Sequence, residues 1–204
     1  MSRLTLCIFA LVAFPALSFS ANFVTEPLYS GQLYADRVLG ARGLCVDDAG
    51  DVLVVARSVG QIISLWSTRN SSGAETVNRA TIINAPQYAL NHGITYSKGY
   101  LYVSSQSTVY RYPYTPGQRT LITDAATVVV SGMPNNGGHS TRTLVIDKND
   151  LLYVSCGSHD NIDPDSTRAK VRRFPVNNAT NFPFNFVNGE VIISSSLKQK
   201  RKTL

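Results

Sequence analysis

Arg42-Gly-Leu-Cys-Val-Asp-Asp-Ala-Gly-Asp-Val-Leu-Val-Val55 and Arg142-Thr-Leu-Val-Ile-Asp-Lys-Asn-Asp-Leu-Leu-Tyr-Val-Ser155 are two versions of one pattern, 100 residues apart. Between them lies His92-Gly-Ile-Thr-Tyr-Ser-Lys-Gly-Tyr-Leu-Tyr-Val-Ser104, the same pattern with one residue deleted at its turn. The heads fall at 42, 92 and 142, so the period is 50 residues. Each unit reads as a short apolar strand, a polar turn (Asp48–Gly50, Ser97–Gly99, Lys148–Asp150) and a β-branched or aromatic second strand. Third strands follow at Gly60–Trp66, Thr108–Pro113 and Lys170–Pro175, and outer strands at Thr76–Ile83, Ala126–Val130 and Val191–Ser194. Four strands in 40–50 residues is the arithmetic of a β-propeller blade. The chain therefore reads as all-β, a partial propeller of three to four blades. A sandwich with chance similarity is the rival, and the shared register of the polar turns disfavours it.

Composition agrees. Charged residues are only 16% of the 204, too few for a coiled coil or a solvated helical bundle. The net charge of +6 is not spread over the chain. Arg3 lies near the N-terminus, and Lys198, Lys200, Arg201 and Lys202 crowd the last seven residues, which leaves +1 on residues 22–197. No basic face for nucleic acid is expected. No apolar run beyond the N-terminus approaches the roughly 18 residues of a membrane span.

The N-terminus has Arg3, an apolar stretch from Leu4 to Leu17, and small residues at Ser18–Ala21. This is the pattern of a secretory signal peptide over residues 1–20. Sequons at Asn70 and Asn178 fit an exported, N-glycosylated chain. Removing the signal leaves Cys45 and Cys156, which an oxidising compartment would allow to pair or to remain free. The expected domain runs over 21–197, with 198–204 as a basic tail outside the fold. About 183 residues at 50 per unit is fewer than four blades, so the ring is expected to be incomplete.

The third head carries a further signature. Gly137-Gly-His139-Ser-Thr-Arg142-Thr-Leu144-Val-Ile-Asp147, followed by Leu152-Tyr-Val-Ser-Cys156-Gly157-Ser158, resembles the soluble quinoprotein glucose/sorbosone dehydrogenases. Within them it is most similar to the pyranose dehydrogenases dependent on pyrroloquinoline quinone (PQQ). The resemblance spans roughly residues 25–195. It implies a six-bladed propeller with PQQ above the central channel, a sugar substrate, an external electron acceptor and a calcium ion. It also implies that His139 is the catalytic base, which accepts a hydroxyl proton while hydride passes to the quinone. Histidine suits that role because it titrates near neutrality. An aspartate nineteen residues on orients this histidine in the glucose branch; here that position is Ser158.

The resemblance also makes Arg42, Asn91, His92 and Arg142 candidate cofactor contacts, since PQQ carries three carboxylates. Each has a structural alternative: a blade-bridging ion pair for the arginines, a satisfied turn residue for His92. Where the family carries Gly-Leu-Arg-Asn, this chain has Ser196-Leu-Lys-Gln199, a poor substitute for a guanidinium fork. The family's calcium site and its remaining cofactor cations have no counterpart within these residues. No metal ligand is assigned, and PQQ and calcium are not expected to be retained by this chain. Asp160–Ser166 lacks the glycine and glutamate of a calcium-binding EF loop and reads as an Asx-rich turn. A non-catalytic secreted propeller that binds a glycan or a protein remains the alternative, as does a chain too incomplete to persist.

Overall fold

The computed structural model describes residues 33–176 except 136, 166 and 167, and the backbone of two later strands. The expected signal segment 1–20, Asn178, the 196–199 segment and the expected tail 198–204 lie outside the described residues. The described residues from Ala35 onward belong to one compact unit.

Blade 1 is a four-stranded antiparallel meander of β1 (Ala41–Val46), β2 (Val52–Ala56), β3 (Gln61–Arg69) and β4 (Glu75–Asn84). Blade 2 repeats it with β5 (Ile94–Ser97), β6 (Tyr100–Ser104), β7 (Val109–Pro113) and β8 (Thr127–Ser131). Blade 3 comprises β9 (Leu144–Ile146), β10 (Leu151–Cys156) and β11 (Lys170–Pro175). After β12 (Phe182–Pro183), β13 (Ile193–Ser194) pairs with β11 and completes the third four-stranded sheet. The innermost strands of the three blades are neighbours, β1 beside β5 and β5 beside β9. The heads at 42, 92 and 142 thus line one side of a common axis, as the repeat requires.

Blade 2 departs from the expected four strands. β12 leaves blade 3 and adds to β8 in parallel, Phe182 opposite Val130. An outer strand with open N–H and C=O groups is a template for misassembly, and a fifth strand covers it.

The turns explain the deletion in the second unit. In blades 1 and 3 an aspartate closes the turn: Asp47 Oδ1 accepts from the amides of Ala49 and Asp51 at 3.0 and 2.8 Å. Asp147 Oδ1 accepts from those of Asn149 and Leu151 at 2.9 and 3.0 Å. Blade 2 has no such aspartate. Its strands join through Lys98 and Gly99, both at positive φ (46° and 79°), in a two-residue hairpin that needs one residue fewer.

Apolar side chains from facing blades make the cores. Leu53, Val55, Ile62 and Ile83 of blade 1 pack against Leu101, Val103 and Tyr112 of blade 2. Val109, Val129 and Val130 of blade 2 pack against Leu144, Leu152, Val154 and Phe174 of blade 3. Burying such a side chain contributes about 1.5–3 kcal/mol. Polar groups lock blade 1 to blade 2. Asp47 Oδ2 accepts from the Tyr114 hydroxyl at 2.6 Å and the Gly117 amide at 2.7 Å. The Asp51 carboxylate receives a bidentate Arg119 guanidinium, both bonds 3.0 Å, and that guanidinium lies 4.2 Å from the centre of the Trp66 ring.

Candidate functional site

The segment between β8 and β9 carries His139 and has no strand partner of its own. Met133, 2% exposed, anchors its start in the second core. The Gly138 amide donates to the His159 carbonyl at 2.8 Å. His139 then leans on the end of β10, at Gly157. A Cβ on residue 157 would lie 2.6 Å from His139 Cβ and 2.7 Å from its carbonyl oxygen, so only glycine admits this approach.

The His139 imidazole is exposed, and its Nδ1 lies 3.0 Å from Ser158 Oγ. Serine thus lies in contact with the imidazole at the position where the glucose branch carries its aspartate. It brings no negative charge to favour the imidazolium. A serine hydroxyl can accept from Nδ1–H or donate to a bare Nδ1; in the tautomer with Nδ1–H donated to Ser158, Nε2 keeps its lone pair. Beside it opens a cleft of about 500 Å³, lined by His139, Thr141, Ser155, Cys156, Ser158 and Lys170 among others.

Three of the four candidate cofactor contacts meet beneath this loop, and all three reach its main chain. Asn91, 5% exposed, donates from Nδ2 to the Ser140 carbonyl at 3.2 Å. His92 Nδ1 donates to the Arg142 carbonyl at 3.0 Å, since a carbonyl only accepts. Arg142, 1% exposed, donates from Nη1 to the carbonyls of His139 and Thr141 at 3.2 and 2.9 Å, and from Nη2 to that of Pro134. Burial pushes its pKa down, yet a guanidinium stays protonated. Gly93 lets the two heads approach: a Cβ there would sit 2.9 Å from the Arg142 carbonyl oxygen and 2.7 Å from Leu144 Cγ. Arg42 stands elsewhere, exposed on β1, and takes no part in the hydrogen bonds that hold the loop.

Cys45 and Cys156 are free thiols in blades 1 and 3. Burial, with the Asp47 charge nearby, pushes Cys45 up to about 12; burial also raises Cys156. In the Asx-rich segment, Asp163 accepts from the amides of His159 and Asp165 at 2.6 and 3.0 Å and pairs with Arg168 at 3.3 Å. It braces the turn from which His159 holds the loop. Among the described residues no group of three or more His, Cys, Asp or Glu side chains is placed to hold a metal ion. None of their helices is long and apolar enough to cross a membrane. The sequence reading missed the part played by Gly157, although the glycine was in its signature, and it gave no role to Lys170.

The TrAA12-like family matches residues 23–199. A PQQ-dependent sugar dehydrogenase of Hypocrea jecorina is 32% identical over 174 residues, covering 79% of this chain and 39% of that protein. The Trichoderma reesei enzyme of carbohydrate-active family AA12 superposes with a TM-score of 0.65 at 30% identity, over 75% of this chain and 40% of that one. The holo PQQ domain of the Coprinopsis cinerea pyranose dehydrogenase gives 0.62 at 30% identity, over 75% and 38%. The chain spans about two fifths of the length of these relatives. With a repeated blade, three neighbouring heads and a histidine presented at the third, the chain belongs to the TrAA12-like family.

Proposed function

We propose that this chain carries the proton-accepting part of a PQQ-dependent sugar dehydrogenase site, with His139 as the base. The observation that carries the proposal is the 3.0 Å contact of His139 Nδ1 with Ser158 Oγ beside an open cleft; a proton on Nδ1 would leave Nε2 bare to accept one. PQQ, when bound, supplies the two-electron acceptor for hydride from the sugar carbon. His139 Nε2 takes the proton of the hydroxyl on that carbon. Ser158 holds the ring in the tautomer that leaves Nε2 free, and Gly157 sets how close the ring sits to β10.

The described residues fit the base side of such a site and not the whole cofactor. Three carboxylates call for several cations. Of the residues lining the cleft only Lys170 is cationic, and the Arg142 guanidinium is committed to carbonyls. We therefore propose that PQQ and calcium are not retained by these residues alone. The external electron acceptor is inherited from the family reading. We also propose export, with a glycan at Asn70. Asn70 sits at the exposed tip of the β3–β4 hairpin, where its Oδ1 accepts from Ser72 Oγ at 2.7 Å and its Nδ2 is left to react.

A chimera tests the catalytic part: residues 33–176 of this chain replace the matching segment of the Hypocrea jecorina relative, and the product is loaded with PQQ and calcium. Sugar-driven dye reduction that disappears with His139→Ala supports the proposal. A His139→Ala chimera that binds PQQ and keeps its turnover refutes it. The alternative, a propeller that binds a glycan without catalysis, is favoured by the Ser158 substitution, and a chimera that binds sugar without oxidising it would support it.

A further inference from the structure

We propose that Asn91, His92 and Arg142 are positioning residues: through the main-chain carbonyls of the 134–142 loop they fix His139, and none of them contacts the cofactor. The inference rests on the reading of His139 as the base and adds what holds that base in place.

The loop lies outside the strand ladders, so its carbonyls need donors from side chains or from water. Five of them, on Pro134, His139, Ser140, Thr141 and Arg142, are met by three side chains. Converging carbonyl dipoles create a region of negative potential, and the charge placed in it is the Arg142 guanidinium. No carboxylate among the described residues pairs with that guanidinium, which marks it as a counter-charge to backbone. Its Nε is buried without a partner. A ligand carboxylate would reach that atom only if the loop opened. His92 and Asn91 come from the head of blade 2, and Gly93 brings that head against the Arg142 carbonyl oxygen. The position of the base is thereby tied to the packing of blade 2 on blade 3.

His92 is half-buried and tolerates substitution better than Arg142, so it provides the test. In His92→Leu the donor to the Arg142 carbonyl is lost. In His92→Asn the side-chain amide nitrogen stands where Nδ1 stood. Amide hydrogen exchange in the 204-residue chain is followed at Gly138 and Thr143, whose N–H groups bond to the His159 carbonyl and Ser155 Oγ. Leu152 and Val154 in the β10 ladder are the controls. The imidazole nitrogen resonances of His139 are recorded on the same samples.

We expect exchange at Gly138 and Thr143 to quicken about tenfold in His92→Leu, the equivalent of one hydrogen bond. The His139 resonances should shift, the β10 amides should not change, and His92→Asn should restore both signals. Unchanged loop exchange and unchanged His139 resonances in His92→Leu would overturn the proposal, as would a loss of protection shared equally by β10. If His92→Leu does not fold, His92→Gln, whose donor falls at the Nε2 position instead, makes the same comparison. No sugar or cofactor is needed, so a failure here is separate from a failure of the base assignment, which the chimera tests.

Discussion

Replacing Gly157 with alanine places a methyl group 2.6 Å from His139 Cβ and 2.7 Å from the His139 carbonyl oxygen. Carbon atoms in contact settle at about 3.5–4.0 Å, so the loop must retreat by roughly 1 Å. Gly157 does not have a positive φ, so the backbone itself accepts alanine. Loss of glycine's freedom in the unfolded chain would then favour the variant by about 0.4–1 kcal/mol. Overpacking opposes this by about 1–3 kcal/mol, and the net expectation is a destabilisation of about 1 kcal/mol. The larger effect falls on the base. A 1 Å retreat takes Nδ1 well beyond bonding distance of Ser158 Oγ, now 3.0 Å away. Misplacing a catalytic group by that amount costs on the order of 10²-fold in rate. Urea unfolding of the chain measures the first quantity, and dye reduction by the chimera measures the second. An alanine variant more stable than the parent, with turnover intact, would show that His139 does not pack on Gly157 and would refute the reasoning.

Other consequences follow from the locks and the thiols. Tyr114→Phe removes the 2.6 Å bond to the buried Asp47 carboxylate and should cost about 1.5–3 kcal/mol in urea unfolding. Acid should weaken the fold. Burial raises the Asp47 pKa, but hydrogen bonds from Tyr114, Gly117, Asp51 and Ala49 outweigh it and hold Asp47 below the ordinary 3.8. Asp147 is held low chiefly by the Leu151 amide and Asp163 by the His159 amide. Carboxylates with depressed folded-state pKa values stabilise above the unfolded value and lose that contribution as pH falls through the folded one. Stability should therefore decline below about pH 4, and Tyr114→Phe should shift that decline to higher pH. Because burial raises both thiols, Cys45 and Cys156 should label slowly with maleimide at neutral pH and rapidly once unfolded, read by peptide mass spectrometry. A disulfide between them would contradict the structure.

The strands were legible because their causes are local. A recurring polar turn between apolar, β-branched and aromatic runs located β1–β11, although β3 runs on to Arg69, past its expected end at Trp66, and the blades followed from the 50-residue spacing. β12 was not legible: its pairing with β8 links Phe182 to Val130 through no local pattern. The Asp47–Tyr114 bond likewise joins residues 67 positions apart. At the candidate site, sequence singled out His139 and Ser158, and the structure places Nδ1 of the one 3.0 Å from Oγ of the other. The destinations of Asn91, His92 and Arg142 were hidden for a chemical reason. Amide, imidazole and guanidinium donors suit a ligand carboxylate and a main-chain carbonyl equally well, and only the fold shows which acceptor lies within 3.2 Å.

The tautomer of His139 tests the central claim most directly. Imidazole nitrogen resonances of the chain, labelled with ¹⁵N at histidine and recorded where the ring is neutral, distinguish a protonated nitrogen from a bare one. The account predicts the proton on Nδ1, shared with Ser158, and a bare Nε2, with the preference lost in Ser158→Ala. A proton on Nε2, or a tautomer mixture indifferent to Ser158→Ala, would mean that the third head does not present a base.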